Sequence, residues 1–235
     1  MYVLGIESAT AVAAVAIAGD EGILAERMVR NNRTHSVNLL PMIKATLEDV
    51  ELIGEKLAGI AVSGGPGSFT GLRIGMSIAK TLAQVWGIPV TGVSTLRGLA
   101  HQLSGHSRLV CPIMNARKNE VYTAVYENQA ATGQMELLAA PRAVGIQGLI
   151  DLLSEWRRPV TFLGDGVPVY KEQLLEGLGL SAFFAPAAAA YPRGAAIAEL
   201  GLSTFAGNGG VDPLDLQPEY IRFSEAEVLW RKKYA

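Results

Sequence analysis

One order of apolar patterns occurs twice along this chain, and that repetition limits its folds more than any single motif does. Period-two segments read as strands and period-3.6 segments as helices. In the first half "YVLGIESA", "AVAAVAIAGD" and "GILAERMVRN" are strands and "HSVNLLPMIKATLEDV" is a helix. "LAGIAVSG" is a strand, "GLRIGMSIAKTLAQVWG" a helix, "IPVTGVST" a strand and "LRGLAHQL" a helix. From Arg108 the order restarts: three strands ("RLVCPIMNA", "EVYTAVYEN", "MELLAAPRAV"), the helix "GIQGLIDLLSEW", the strand "RPVTFLGDG" and the helix "GAAIAELGLSTFAG". Three strands, helix, strand, helix therefore occur in both halves, a duplication of whole domains rather than a solenoid repeat. Strands joined by helical crossovers imply an α/β protein with mixed sheets flanked by helices. The expected domains are residues 1–105 and 106–235, with the boundary near "LSGHSR" and a cleft between them.

Each half of a 235-residue chain is long enough to bury its own core. A net charge of −2 and a pI near 6.0 give no overall basic field for collecting nucleic acid. RNA, if handled, would meet positive surface supplied by a partner. The single cysteine, Cys111, excludes an internal disulfide and a zinc site built from several thiolates, and reads as a buried apolar thiol. No basic region precedes an apolar core in "MYVLGIES", and no apolar run approaches the roughly 18 residues that cross a bilayer. The reading is a soluble cytoplasmic protein without membrane contact. Only 18% of residues are charged and the mean hydropathy is +0.25, so some apolar surface is expected to face a partner.

The segment "AVSGGPGSFTGLRIGMSIAKTLA" leads from a strand through a Gly-rich loop into a helix. Neither the Walker spacing nor the dinucleotide spacing is met: no Gly stands five positions after Gly64, Gly65 or Gly67, and Thr70 stands where the third dinucleotide Gly would be. What remains is glycines that allow close backbone approach, Pro66 fixing a turn, and Ser68 or Thr70 able to cap the helix. An anion at the helix N-terminus and a tight packed turn both fit. The candidate anion or nucleotide cleft comprises Glu7, Ser8, Gly65, Gly67, Ser68 and Thr70, with Gly164 and Asp165 from "LGDG". In the helix, Arg73, Ser77, Lys80, Thr81 and Gln84 fill one sector of roughly 100°, and apolar side chains fill roughly 200°, twice what one core needs. Gly71, Gly75, Ala79 and Ala83 form a row along which another helix could approach.

Catalytic groups are sparse. Phosphoryl transfer calls for carboxylates to hold magnesium and a base to position the nucleophile. The first strand ends in Glu7–Ser8, but the matching place in the second half, "MNARKNE", offers Asn115. His35, His101 and His106 form no helical metal-binding pair and read as capping or surface residues. No catalytic residue, metal site or cofactor is expected.

"VLGIESAT", "RTHSVNLLPMI", "GGPGSFTGLRIG", "GVSTL", "NARKNEVYTAVY" and "PEYIR" stand in the order and spacing of the TsaB (YeaZ) family, which this chain resembles over nearly its whole length. "GGPGSFTGLRIG" is the most specific segment. The resemblance implies two ribonuclease-H-like domains of the actin, Hsp70 and sugar-kinase superfamily. It also implies a non-catalytic scaffold in making threonylcarbamoyladenosine beside the anticodon of tRNAs that read ANN codons. Implied partners are a catalytic TsaD-like paralogue as heterodimer, a TsaE-like ATPase in the assembly and tRNA through the complex; for the chain alone, a homodimer and a monomer both fit. The family often has Asp where this chain has Asn115. On this reading the Gly-rich loop aims an apolar helix at the paralogue, with Met42, Leu72, Met76, Ile78, Ala79 and Trp86 as interface candidates. In the preceding helix, Leu40, Ile43 and Leu47 are expected to face the core, with Met42 opposite. An alternative is a small-molecule kinase or ATPase with Glu7 and Asp165 near metal. A peptidase reading lacks a nucleophile constellation.

Overall fold

The computed structural model describes residues 1–31, 33–116, 119–129 and 134–222. Arg117 and Lys118 of the "NARKNEVYTAVY" motif and residues 223–235 of the expected second domain lie outside these.

The first sheet contains β1 (Tyr2–Glu7), β2 (Ala13–Gly19), β3 (Gly22–Val29), β4 (Gly59–Gly65) and β5 (Val90–Ser94), in the order β3-β2-β1-β4-β5. α1 (His35–Asp49) crosses from β3 to β4, α2 (Phe69–Trp86) from β4 to β5, and α3 (Thr95–His101) follows β5. The second sheet contains β6 (Leu109–Asn115), β7 (Glu120–Asn128), β8 (Met135–Gly145), β9 (Val160–Leu163) and β10 (Ala182–Phe184), in the order β10-β9-β6-β7-β8. Its helices are α4 (Ile146–Trp156), α5 (Val167–Leu178) and α6 (Gly194–Ala206). Read from the opposite edge, the second order is the first again. In each sheet the first three strands pair antiparallel and the later ones join parallel. Among the described residues no helix is long and apolar enough to cross a membrane.

β1 and β4 are buried on both faces, as continuous apolar runs at the centre of a covered sheet require. Leu4, Ile6, Val15, Ile17, Ile60 and Val62 meet α1 and α2 on one face. On the other, Val3, Ala61 and Val93 meet Ile197, Leu200 and Phe205 of α6, and Ala16 and Ala18 meet Ala198. The approach of α6 is unusually close because both surfaces are small: a Cβ on Gly5 would lie 2.5 Å from the Ala198 amide nitrogen, and one on Gly194 would lie 2.8 Å from the Val15 carbonyl carbon. α6 therefore belongs to the second half in sequence and covers the first sheet. α3 does the reverse, placing Leu96, Leu99 and Ala100 against Val110, Met114 and Tyr126 of the second sheet.

Two expectations are corrected. The helix that follows β9 is α5, with β10 after it, and α6 takes the place corresponding to α3. Pro168 and the Gly177–Gly179 spacing punctuate this stretch like a loop, yet Pro sits in the first turn, where no intrahelical N–H is needed. In α1 the buried residues are Leu39, Ile43 and Thr46; Leu40 is 49% exposed, and Met42 and Leu47 pack partly against the core. The apolar stripe is turned by one residue because Leu39 and Leu40 are adjacent and either fits the period. Along the Gly71–Ala83 row, Ala79 and Ala83 lie in the core that α1 shares, and a Cβ on Gly71 would come within 3.2 Å of the His35 ring of α1. Gly71 and Gly75 seat α2 against Ser8, whose carbonyl and hydroxyl oxygens occupy the space a Cβ would fill.

Candidate functional site

The carboxyl ends of parallel central strands are where open α/β sheets place ligands. Here β1 ends at Glu7, β4 at Gly65, β6 at Asn115 and β9 at Leu163, so the sequence-predicted cleft residues lie at the corresponding ends of the two sheets.

Glu7 is wholly buried. Its Oε1 accepts a 2.6 Å hydrogen bond from the Ala9 amide, while Oε2 has no partner among the described residues. Burial pushes its carboxyl from 4.5 up to about 7, against the opposing pull of Ala9, Ser63 and Thr10. Ser8 is also enclosed; its amide donates to Ser63 Oγ at 3.2 Å and its hydroxyl is unpartnered among the described residues. His35, which opens α1, places Nε2 2.9 Å from the Thr10 carbonyl oxygen.

The Gly-rich loop is filled by the chain itself. Gly65 has φ 122°, and the carbonyl of Glu219 occupies the space beside it; the Glu219 amide donates to Gly64 O at 2.8 Å. A side chain at Gly65 would expel this segment, and its positive φ disfavours any residue with a Cβ, so glycine is required there. At Gly67 a Cβ would lie 2.5 Å from Ala9 O, which accepts from the Ser68 amide at 2.7 Å. Ser68 is the N-cap of α2, its Oγ accepting from Gly71 N at 3.2 Å. Thr70 is exposed on the first turn. The loop thus brings Glu7, Ser8, Gly65, Gly67 and Ser68 into one packed junction.

In the second half, Gly164 (φ 109°) and Gly166 fold against Ile113, and Gly166 N donates to Ile113 O at 3.0 Å. Asp165 Oδ1 accepts from the Asn115 amide at 3.0 Å; burial raises its carboxyl, opposed by that bond and by the Arg30 charge. Arg30 leaves the end of β3 with its guanidinium 5.2 Å from the Tyr191 ring. Among the described residues no group of three His, Cys, Asp or Glu side chains could hold a metal ion.

Of the interface candidates, Leu72, Met76 and Ala79 are buried in the first core. Met42, Ile78 and Trp86 are partly buried, the Trp86 ring lying over Gly54. The outer faces carry other apolar side chains: Val37 at 54% exposure and Leu40 on α1, and Val85 at 73% on α2.

Residues 22–230 match the family described as TsaD, tRNA N6-adenosine threonylcarbamoyltransferase. Over 98% of both chains the sequence is 34% identical to the tRNA threonylcarbamoyladenosine biosynthesis protein TsaB of Bacillus subtilis. The chain belongs to the TsaB family. A Pseudomonas aeruginosa structure, described as an uncharacterized protein with similarity to peptidase YEAZ, shares the fold at a TM-score of 0.80; identity is 24%, covering 94% of this chain and 99% of that one. The ROK hexokinase of Thermus thermophilus aligns at a TM-score of 0.50, with 14% identity and coverage of 86% and 99%.

Sequence reasoning about this TsaB-family chain missed the role of its "PEYIR" segment. Tyr220 stacks on Phe69 with ring centroids 4.7 Å apart and its hydroxyl accepts from Arg73 Nε at 3.1 Å, while Arg222 pairs with Glu120. The segment gave only a resemblance signal, because its partners lie more than a hundred residues away.

Proposed function

We propose that this chain is a non-catalytic subunit in the biosynthesis of threonylcarbamoyladenosine in tRNA, working in the cytoplasm and acting by pairing with a TsaD-like catalytic chain through the outer faces of α1 and α2. TsaB-family membership supplies the pathway. The carrying observation is the apolar side chains that α1 and α2 leave uncovered, above all Val85, Val37 and Leu40. Met42, Ile78 and Trp86 border them and supply adaptable and aromatic surface of the kind that anchors interfaces. The paralogue brings the transfer chemistry, a TsaE-like ATPase joins the assembly, and tRNA is held by the complex rather than by this near-neutral chain. The enclosure of Glu7 by its own loop supports the non-catalytic assignment, since a metal-binding carboxylate must reach its ligand.

The test is Leu40→Glu and Val85→Glu in the purified chain, with association to the TsaD-like protein measured by titration. Both side chains are exposed, so melting temperature should hold. Trapping a carboxylate in an apolar contact costs several kcal/mol, so affinity should fall by orders of magnitude. Normal association by both variants, or tRNA modification by the isolated chain, would refute the reading.

A further inference from the structure

The covalent crossings between the two sheets are the α3–β6 connection and the segment from β10 to α6. A third link is not a crossing but a return. After α6 the chain runs back along the first half and ends its described course on the second.

Val211 pairs with Val90 through two main-chain hydrogen bonds, of 3.1 and 2.8 Å, at the free edge of β5. The Lys80 ammonium, on the polar stripe of α2, donates to the carbonyls of Leu214 and Leu216 at 3.2 and 3.0 Å. Leu216 itself enters the first core. Glu219 is bonded to Gly64, and Tyr220 is stacked between Phe69 and the reach of Arg73. Two residues later Arg222 donates to the Ala116 carbonyl at 3.4 Å, pairs with Glu120 and lies 6.0 Å from the Tyr122 ring. Three residues of extended chain span at most about 11 Å. Glu219 on the Gly-rich loop and Arg222 on the β6–β7 end therefore tie the carboxyl ends of the two sheets side by side.

The two ends of this strap are unequal. Its hold on the first half is distributed over main-chain bonds, a buried leucine and a stacked ring. Among the described residues its hold on the second half is one guanidinium, about a third exposed, as is its carboxylate partner. Such a pair contributes modestly and is weakened by salt. We propose that residues Val211–Arg222 are a releasable clasp between the two halves, fixed on the α2 side and opening at the Arg222–Glu120 contact, so that this contact sets how far the sheets' carboxyl ends can part.

The test uses the full chain carrying spin labels at Thr81→Cys on α2 and Glu172→Cys on α5, both exposed; the native Cys111 is buried and escapes labelling. The parent should give one narrow interlabel distance. Arg222→Ala should add a broader component at longer distance with melting temperature unchanged, and about 1 M salt should do the same to the parent. The charge-reversed pair Arg222→Glu with Glu120→Arg should restore the narrow distribution. An Arg222→Ala distribution identical to the parent's overturns the clasp, as does a broadening that comes only with a fall in melting temperature like that of a core variant.

Discussion

Replacing Glu7 by Gln tests the energetic reading of the junction beneath the Gly-rich loop. The carboxyl titrates at about 7 in the fold and at 4.5 in the unfolded chain, mainly because burial disfavours its charge. Below 4.5 both states hold the proton and Glu7 contributes no pH-dependent term. Between 4.5 and 7 the unfolded chain loses its proton while the native state keeps it, so stability falls as pH rises, and above 7 the loss is complete. A change from 4.5 to about 7 corresponds to about 3 kcal/mol. Glutamine keeps an oxygen for the Ala9 amide and replaces the unpartnered Oε2 with a neutral group. Glu7→Gln should therefore be more stable than the parent by about 3 kcal/mol at pH 8 and by about 1 kcal/mol or less at pH 5. For a chain of this size that is a rise in melting temperature of about 6–12 °C at pH 8. Thermal melts of both proteins from pH 5 to pH 8 read this directly. Parallel curves across that range, or a lower melting temperature for the variant at pH 8, would refute the burial argument.

Met76→Glu, on the inner side of α2, should unfold the chain or lower its melting temperature sharply, since an unpaired carboxylate in an apolar core costs several kcal/mol; circular dichroism distinguishes this from the silent effect expected of Val85→Glu. Gly5→Ala should cost roughly 1–3 kcal/mol in urea unfolding, because the added methyl must push α6 off the first sheet. Cys111, buried and with its thiol pushed up to about 12, should resist alkylation in the native protein at pH 8 and react once urea unfolds it.

Local patterns carried much of this architecture. The apolar runs of β1 and β4, the alternation of β7 and the Ser68 cap depend on near neighbours, and each stands where its pattern predicts. α5 was hidden by punctuation residues that are harmless at a helix end. The one-residue turn of α1 was hidden by paired leucines whose choice is made by the sheet beneath. At the candidate site, Glu7 and Ser8 were legible as the end of a strand, but their enclosure was not. Nothing near the Gly-rich loop in sequence announces that Glu219 covers Gly65, or that Lys80 holds Leu214 and Leu216. The breadth of the apolar face of α2 was legible; its division between Met76 inside and Val85 outside is fixed by packing against β1 and α1.

The crossing of α6 onto the first sheet bears on how the chain is made. Residues 1–94 emerge from the ribosome with all five strands of that sheet, yet the face lined by Gly5, Ala16, Ala18 and Ala61 has no cover until Gly194–Ala206 follow. At translation speeds of about 5–20 residues per second, the delay is on the order of ten seconds. During it the nascent sheet exposes an apolar surface built from small side chains. The amino-terminal half thus completes its fold only when the carboxyl-terminal half is nearly finished, and a truncation before α6 leaves one face of the first sheet bare while α3, α4 and α5 still cover the second.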